Sequence, residues 1–398
     1  MKNYILYWMQ QAQRVEYNSA LSFATELANK ESLKVMVVFC LTEKFKDANL
    51  RSYQFMLEGI QETCKDLRKR GYLFEIVIDE IPKGLEKYII NSKEVVCDVG
   101  YLRFQKEWRT KVKLLCEKHN KRCHLIETDL IIPIQEASGK QEYMAWTFRK
   151  KIKDKIDKYL EIKSLNKLKN KADLNNDCSD INFEEVLDNL SIDRSVLPSK
   201  KFIGGYSNAK EKLNNFLEHR LVKYNLSQSP ANEYTSEISP YLHFGQISSL
   251  EIALEVKRLK NSSNDKTLIE SIDQFLEQLI VRRELAFNYI YYNDKYDSFA
   301  HITSEWAYKT MKNHLSDTRE YVYSMKELES SETHDIYWNA AMDEMRKSGY
   351  MHNYMRMYWC KKIIEWTEDY KTAYEISIYL NNEYFLDGRD ANSYTGVA

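Results

Sequence analysis

The chain has 398 residues, and its 58 Lys and Arg and 59 Asp and Glu side chains leave a formal net charge of −1. This length is enough for two domains with substantial cores. The balanced charge excludes a protein that binds nucleic acid through its bulk charge, so any such contact needs a local basic surface. The sequence shows neither an apolar run long enough for a membrane helix nor a signal-peptide pattern at its start. We therefore expect a soluble, cytoplasmic protein.

Seven cysteines are scattered along the chain without a CxxC pair. Their odd number and their spacing favour free thiols in a reducing compartment over a disulfide framework. The densest group of metal-ligand side chains is Cys116, His119, Cys123 and His124, whose spacing matches no common zinc pattern. We interpret this group as a helix-to-strand connection and expect no metal site.

Short apolar strands alternate with helices over residues 1–135. Strands are predicted at Tyr4–Met9, Leu33–Leu41, Leu73–Ile78, Val95–Val99 and Cys123–Glu127, and helices at Asn18–Lys30, at Tyr53–Arg70 and in a stretch ending near His119. Continuous apolar strands that alternate with helices predict a parallel, Rossmann-like sheet covered on both faces. The turn after the first strand, Gln10–Val15, contains no glycine. A dinucleotide site would need GxGxxG there, so the sequence argues against an ordinary NAD site.

Residues 136–200 are predicted to link two domains. Arg149–Lys171 is crowded with lysine and predicts a surface helix, and the polar stretch Ala172–Asp180 predicts a loose connection. The lysines could contact a nucleic-acid backbone, but a solvated helix face is the favoured interpretation.

Residues 201–398 predict long helices rich in Tyr and Trp, namely Leu213–Tyr224, a Pro-started helix at Ser239, Lys266–Tyr292, and nearly five turns from Gly349 to Trp366. Trp359 and Trp366 lie seven residues apart, so they share a helix face about 10.5 Å apart along the axis. Taken alone, this stretch would be an aromatic-rich core helix. Residues 235–240 would likewise be an ordinary helix cap, and 282–288 a salt-bridged surface helix.

Several long motifs together resemble class II cyclobutane pyrimidine dimer photolyases. They are YWMxxxQRVxxNxAL from Tyr7, TSxxSPYLHFGQIS from Thr235, RREL at 282–285, MRMYW at 355–359 and LDGRDxN at 386–392. The resemblance implies an α/β domain at 1–135 that can hold a light-harvesting antenna, either a deazaflavin or a folate. It further implies an all-α domain at 201–398 that binds flavin adenine dinucleotide (FAD), which is active in its reduced form.

The resemblance also implies which residues hold the cofactor. Asn381 matches an asparagine beside the redox-active nitrogen of the flavin. Arg356 is expected to pair with Asp387 or Asp390, because an arginine buried in a helical core needs a carboxylate partner. The implied cofactor contacts are Tyr224, Thr235, Ser236, Glu237, Ile238, Ser239, Asn288, Arg356, Asn381, Asp387 and Asp390.

The family reaction repairs pyrimidine dimers in DNA by electron transfer under blue light. The resemblance implies an electron path with Trp359 as its inner, Trp338 as its middle and Trp366 as its outer member. It assigns Glu284 to hydrogen bonds with the damaged bases, which requires a raised pKa. The implied catalytic residues are Glu284, Asn381, Trp359, Trp338 and Trp366, and the implied substrate contacts are Glu284, Tyr354, Met357 and Gln228.

The chain departs from the family pattern at three places. Ser19 stands where tryptophan is common, Gln228 replaces an arginine of the YxxxRNDP motif, and the sequence stops at Ala398, inside the last motif. Loss of that arginine removes a forked, charged donor and is expected to weaken dimer binding. We expect a photolyase that acts on dimer-containing DNA as a monomer, away from membranes. The alternatives are a cryptochrome-like flavin photoreceptor without repair activity and, in third place, a helical scaffold without cofactor.

Overall fold

A computed structural model describes residues 4–161, 165–173 and 178–398. Its first part is a parallel sheet in the order β3-β2-β1-β4-β5, in which Tyr7 on the central strand pairs with Val37 and Val96. The strands are β1 (Tyr4–Met9), β2 (Lys34–Leu41), β3 (Leu73–Ile78), β4 (Ser92–Asp98) and β5 (Arg122–Ile126), and the helices between them are α1 (Ser19–Glu31), α2 (Leu50–Lys69), α3 (Glu86–Asn91) and α4 (Arg103–Lys118). Every residue of β1 is buried, as expected for a strand covered on both faces. The predicted parallel sheet is confirmed.

The sheet elements follow their predicted bounds within a few residues, with one omission. Asn18 begins α1 because its side chain accepts a hydrogen bond from the Leu21 main-chain N–H. The predicted strand at Val95 begins three residues earlier, and α3 before it was not predicted. Helix α4 leads directly into β5, and His119 contacts Glu86 at 3.1 Å between Nε2 and Oε1. The predicted helix-to-strand connection is confirmed.

The middle of the chain differs from its prediction. It contains α5 (Ile134–Ala137), α6 (Ala145–Tyr159) and α7 (Phe183–Asp188). The lysine-rich helix therefore ends at Tyr159, well before the predicted Lys171, and the predicted loop Ala172–Asp180 lies partly outside the described residues. The prediction of free thiols is wrong for one pair, because Cys64 on α2 forms a disulfide with Cys178, 114 residues away. Such a separation leaves no local signal in the sequence.

The rest of the chain is helical, which confirms the predicted α/β-then-α order. The helices are α8 (Tyr206–Asn215), α9 (Ser239–His243), α10 (Ser249–Ser262), α11 (Lys266–Leu276), α12 (Arg283–Tyr292), α13 (Glu305–Asn313), α14 (Met325–Glu329), α15 (Ile336–Ser348), α16 (Asn353–Glu365), α17 (Tyr370–Tyr384) and α18 (Ala391–Val397). A π-helical turn at Glu277–Arg282 joins α11 to α12, so this predicted long helix is continuous but locally widened. A further π turn at Phe216–Arg220 and 3₁₀ turns at Lys83–Leu85, Leu221–Leu226 and Phe299–His301 complete the chain.

The predicted five-turn helix after Gly349 is shorter than expected. Gly349 ends α15 in a left-handed conformation with φ 75°. Helix α16 begins only at Asn353, because the His352 ring nitrogen Nδ1 accepts a hydrogen bond from the Tyr354 N–H at 3.2 Å. Trp366 stands at the end of α16.

Buried arginines tie the helical part to the sheet. Arg14, at the turn after β1, donates to the Gly245 carbonyl at 2.9 Å and to the Thr128 carbonyl at 2.7 Å. Arg51 on α2 is 3% exposed and donates to the carbonyls of Leu197, Met345, Arg346 and Tyr384. Each buried charge is thus surrounded by acceptors. The predicted domain boundaries near residues 135 and 200 stay predictions.

Across the described ranges, no helix is both long and apolar enough to cross a membrane. The same ranges hold no cluster of three or more His, Cys, Asp or Glu side chains suited to a metal ion.

Candidate functional site

The main-chain N–H groups of the turn after β1 bind a side chain of the protein itself. The main-chain N–H groups of Gln10, Gln11 and Ala12 all donate to one carboxylate oxygen of Asp98, at 3.1, 2.9 and 3.1 Å. The other oxygen of Asp98 accepts from Arg109 at 3.0 Å. Converging N–H groups at such a turn would bind the diphosphate of a dinucleotide. Here a buried carboxylate of β4 holds them, which agrees with the absence of a GxGxxG motif.

The three predicted tryptophans form one continuous group. Trp338 lies on α15, Trp359 on α16, and Trp366 at the carboxyl end of α16. The rings of Trp338 and Trp359 are stacked with centroids 6.5 Å apart, and Trp338 meets Trp366 edge-on at 5.7 Å. The indole N–H of Trp338 donates to the Trp359 carbonyl at 3.1 Å, which fixes its orientation. Trp366, predicted as the outer member, is only 1% exposed and therefore does not reach solvent itself.

A charged pair lies at the inner end of this group. The Arg356 guanidinium donates two hydrogen bonds to the carboxylate of Asp387, at 2.9 and 3.1 Å. It also stacks 3.9 Å from the ring centroid of Phe385, which in turn contacts Trp359 edge-on at 6.4 Å. Burial alone would raise the pKa of Asp387, but the Arg356 charge holds it below its ordinary value.

Of the two predicted partners of Arg356, the structure selects Asp387 and excludes Asp390. Asp390 lies 4.0 Å from the ring nitrogen Nδ1 of His243. Burial raises the pKa of Asp390, and the charge of Arg283 only partly opposes this effect. Asp390 therefore belongs to the surroundings of His243 and Arg283.

The segment from Thr235 to Ser239 reaches the same place from another direction. The Thr235 hydroxyl accepts a hydrogen bond from the Tyr350 hydroxyl at 3.1 Å, and Ser239 hydrogen-bonds Asp387. Glu237 is paired with Lys201 at 2.6 Å and Lys212 at 3.1 Å. Burial acts to raise the pKa of Glu237, but these lysines bring it below its ordinary value. Ser236 is partly exposed, whereas Ile238 is buried in the core.

Within the described ranges, two buried polar atoms near this place lack a hydrogen-bond partner. They are Asn225 Oδ1 and Trp359 Nε1. Neighbouring Tyr224 packs edge-on against the rings of Phe216 and Phe275, and His352 meets the main chain of Ser227. Buried polar groups are rarely left unpaired. These atoms therefore fit a polar aromatic ligand seated among Tyr224, the start of α16 and the Arg356–Asp387 pair.

The other predicted cofactor and substrate residues surround this place. Asn381 is 7% exposed, and its side-chain N–H donates to the Asn382 side chain at 3.0 Å. Tyr354 and Met357 on α16 are 37% and 45% exposed, and Gln228 is exposed beside Ser227. Exposed groups at a site entrance are free to contact a substrate, so their positions suit the predicted role.

Glu284 and Asn288 lie elsewhere. Both are buried on α12, and Glu284 accepts from the Ile131 N–H at 2.7 Å and the Ile132 N–H at 3.4 Å. Asn288 accepts from the Glu142 N–H at 2.7 Å and donates to the Lys140 carbonyl at 3.0 Å.

These contacts give both side chains main-chain partners, and their predicted roles toward substrate and cofactor stay predictions. Their shared helix stripe faces the main chain of residues 131–142, and no described contact joins it to Thr235–Ser239 or Arg356. Burial raises the pKa of Glu284 to about 8, as its predicted role required, but its oxygens are already used by main-chain donors.

Two further groups of residues belong to these surroundings and carry no distinctive signal in the sequence. Tyr350 and Phe385 enclose Arg356, with only ordinary aromatic periodicity to signal them. A pocket also opens where the carboxyl ends of β1 and β2 face the helical part. Its lining includes Gln11, Tyr53, Tyr101, Phe244, Phe287 and Arg389.

The sequence is similar to one protein family and to several of its members. The sequence profile of the DNA photolyase family matches residues 5–169. The chain is 40% identical over 402 residues to a deoxyribodipyrimidine photo-lyase of Methanothermobacter thermautotrophicus, covering 100% of this chain and 85% of that protein. It is 35% identical to a deoxyribodipyrimidine photo-lyase of Arabidopsis thaliana, covering 98% of this chain and 80% of that protein. Cryptochrome-2 of Arabidopsis thaliana is 29% identical over 174 residues, 41% of this chain and 26% of that protein.

Solved structures share the fold. The crystal structure of a class III photolyase from Agrobacterium tumefaciens aligns with a TM-score of 0.76 at 16% identity, covering 100% of this chain and 80% of that one. An archaeal photolyase from Sulfolobus tokodaii, solved with two FAD molecules, gives a TM-score of 0.73 at 18% identity, covering 98% and 81%. The identity to these relatives over nearly all of this chain, together with the fold, shows that the chain belongs to the DNA photolyase family, alongside the deoxyribodipyrimidine photo-lyases.

Proposed function

We propose that the chain is a class II deoxyribodipyrimidine photo-lyase, which uses blue light and reduced FAD to split cyclobutane pyrimidine dimers in DNA. The observation that carries the proposal is the unbroken contact from the Arg356–Asp387 pair through Phe385 to Trp359, Trp338 and Trp366. Aromatic rings in contact offer electrons a route through the protein, and this route ends beside Arg356, where a redox cofactor could receive them.

The residues around Arg356 fit FAD. Tyr224, Thr235–Ser239 and Asn381 would hold it together with the Arg356–Asp387 pair, and the unpaired oxygen of Asn225 supplies an acceptor. Lys201, Lys212 and Arg220 all lie within 4 Å of Glu237, so positive charge is available for a diphosphate. When bound and fully reduced, FAD supplies one electron to the dimer under blue light.

The protein side chains supply orientation and access. The guanidinium of Arg356 is fixed by Asp387, so its charge stays in one place while electrons move. The exposed side chains of Gln228, Tyr354 and Met357 offer contacts to a dimer that has left the duplex. Glu284 keeps its main-chain partners, and we assign it a role in holding residues 131–132.

Class II and the antenna rest on separate observations. The MRMYW and LDGRDxN motifs support class II. The pocket beside β1 and β2 is lined by Tyr53, Tyr101, Phe244 and Phe287, so its aromatic walls suit a flat antenna chromophore. A deazaflavin and a folate remain the two candidates, and the visible absorption spectrum of the purified protein separates them. The monomeric state and the cytoplasmic location stay predictions.

Repair of a dimer-containing oligonucleotide tests the proposal. Purified protein should be yellow, and under blue light after chemical reduction it should restore intact thymines, whereas the dark control should not. Protein that stays colourless after incubation with FAD would contradict the cofactor assignment.

A second candidate is a cryptochrome-like photoreceptor, favoured by Gln228 and by the likeness to cryptochrome-2 over 41% of the chain. Bound and photoreducible flavin without any repair would select that candidate.

A further inference from the structure

Three thiols meet beneath α4, where this helix covers the edge of the sheet. Cys97 lies on β4, Cys123 on the edge strand β5, and Cys116 near the carboxyl end of α4. The sulfurs of Cys97 and Cys123 are 3.9 Å apart, and Cys116 is hydrogen-bonded to Cys123 as well. Cys116 and Cys123 are the cysteines of the predicted helix-to-strand connection, and the fold adds Cys97 to them from a neighbouring strand.

The three sulfurs differ in their access to solvent. Cys97 and Cys116 are both 0% exposed, whereas Cys123 is partly exposed. A reagent in solution therefore reaches Cys123 before it reaches either neighbour. A thiol can donate one hydrogen bond and accept others, so both buried thiols are able to donate to the sulfur of Cys123.

Cys123 is also the member of the group that carries a negative charge most easily. Hydrogen bonds from Cys116 and Cys97 lower the pKa of the Cys123 thiol, and the charges of His124 and Lys113 act in the same direction. The hydrogen bonds to Cys123, together with burial, raise the pKa of Cys97 and Cys116. The thiolate form of cysteine is the nucleophile that reacts with peroxides. The accessible sulfur is therefore also the reactive one.

The register of the sheet selects between the two possible disulfide partners of Cys123. Cys123 pairs with Val95 across the strands, and Cys97 pairs with Leu125. Cys97 and Cys123 are thus offset by two residues on neighbouring strands, which places their Cα atoms about 8 Å apart. A disulfide that forms without backbone movement needs a separation below about 7 Å. Hydrogen bonds of the sheet hold Cys97 in place, whereas Cys116 stands on the covering helix and is the better partner.

We propose that Cys123 is a site of oxidation by hydrogen peroxide and that Cys116 is the thiol that resolves the oxidised product. The Cys123 thiolate attacks one peroxide oxygen, an S–O bond forms, the O–O bond breaks, and the released hydroxide takes up a proton to become water. The Cys116 sulfur then attacks the sulfenic acid on Cys123. An S–S bond forms, the S–O bond breaks, and the hydroxyl group leaves as water with the Cys116 proton. The two thiols together supply the electrons that reduce the peroxide.

Alkylation of the folded parent protein by iodoacetamide tests the reactive sulfur without any substitution. Cys360 is the matched control, because it is also partly exposed, but its sulfur donates to the Ser377 hydroxyl at 3.8 Å and burial raises its pKa. At about pH 6, Cys123 should be alkylated several-fold faster than Cys360, as measured from the masses of the peptides. Equal rates, or faster alkylation of Cys360, would overturn the assignment of Cys123.

Peptide mapping after brief treatment with hydrogen peroxide identifies the products. The parent protein should form a disulfide between Cys116 and Cys123. Cys116→Ser should instead leave a sulfenic acid on Cys123 that dimedone traps, and Cys97→Ala should react several-fold more slowly, because Cys123 loses a hydrogen-bond donor. Cys360→Ser is the control and should behave as the parent protein does. A disulfide between Cys97 and Cys123, a parent protein in which Cys116 and Cys123 stay reduced, or a Cys116→Ser variant without a dimedone adduct would contradict the proposal.

Discussion

Buried charged side chains explain much of the site at the level of single residues. Asp98 holds three main-chain N–H groups, Asp387 holds Arg356, and Glu284 holds the amides of Ile131 and Ile132. Burial of an ion is unfavourable unless hydrogen bonds replace the lost water. Burial raises the pKa of Glu284, whereas the Arg356 charge holds the pKa of Asp387 below its ordinary value.

The pKa of Glu284 predicts how stability changes with pH. Burial raises this pKa from 4.5 to about 8, so the folded protein retains a proton that the unfolded chain has released across that window. Stability should therefore fall as the pH rises from about 5 to about 9, by an amount on the order of a few kcal/mol for this group. Glu284→Gln has no proton to lose, and its unfolding free energy should change less over the same range. Urea unfolding at several pH values measures this.

Two comparisons make the Glu284 measurement specific. Glu127 also has a pKa raised by burial, to about 7, so part of the pH dependence should remain in Glu284→Gln. Glu368→Gln changes an exposed glutamate and should leave the profile of the parent protein intact. If Glu284→Gln instead lowers dimer affinity while the stability profile stays unchanged, the role first expected for Glu284 would be restored.

The Arg356–Asp387 pair should link stability to cofactor binding. Asp387→Asn leaves the guanidinium without its charge partner, at a cost on the order of 3 kcal/mol in the free energy of unfolding. Purified Asp387→Asn should also contain less FAD, because Arg356 loses its fixed orientation. The exposed Asp154→Asn is the control and should change neither quantity. Full FAD occupancy with unchanged stability in Asp387→Asn would show that the pair is not needed.

The packing of α15 against α16 creates the electron path. Each helix contributes one tryptophan to a stacked pair, and the end of α16 contributes the third. Helix α15 ends at the left-handed Gly349, and the cap at His352 sets where α16 begins. These local features therefore decide which rings meet.

Trp359→Phe should separate the two electron-transfer reactions of the protein. Photoreduction of oxidised flavin should slow markedly, since the path loses its innermost ring. Repair by protein that has first been reduced chemically should change little, because that reaction does not use the path. Flash kinetics and an oligonucleotide repair assay measure the two, with the exposed Trp306→Phe as control. Equal loss in both assays would show that Trp359 has only a packing role.

The two parts of the molecule are held together by directed hydrogen bonds as well as by apolar contact. Arg51 is the clearest case, since one guanidinium reaches carbonyl groups at the ends of α15 and α17 and near residue 197. Burial lowers its pKa to about 10, which shows how little solvent compensates its charge. The relative position of sheet and helices, and hence of the pocket beside β1 and β2, depends on such contacts.

Arg51→Ala should therefore weaken the whole molecule. Four main-chain acceptors would lose a charged donor, and we expect a loss of at least about 3 kcal/mol in the free energy of unfolding. Urea unfolding should become less cooperative, with sheet and helical part separating into two transitions. Lys65→Ala removes an exposed cation from the same helix and should have little effect. A single, unshifted transition in Arg51→Ala would contradict the proposed coupling.

The periodicity of apolar residues was sufficient to predict the parallel sheet and most of its elements, because strand and helix patterns are local and repeat along the chain. The motifs were likewise sufficient to group Trp359, Trp338, Arg356 and Thr235, whose family match is a property of the sequence itself. Helix ends were less predictable. The start of α16 depends on a His352 side chain that caps its own main chain, and histidine is not a usual capping residue.

Four features were decided only by the tertiary structure. These are the choice of Asp387 over Asp390, the main-chain partners of Glu284 and Asn288, the burial of Trp366 beneath Tyr323 and His334, and the disulfide between Cys64 and Cys178. Each joins residues far apart in the chain, or depends on which neighbour covers a side chain. A pattern of residue types indicates the chemistry that each side chain can perform. The partner that it actually meets is set by the packing of whole elements, which local spacing does not encode.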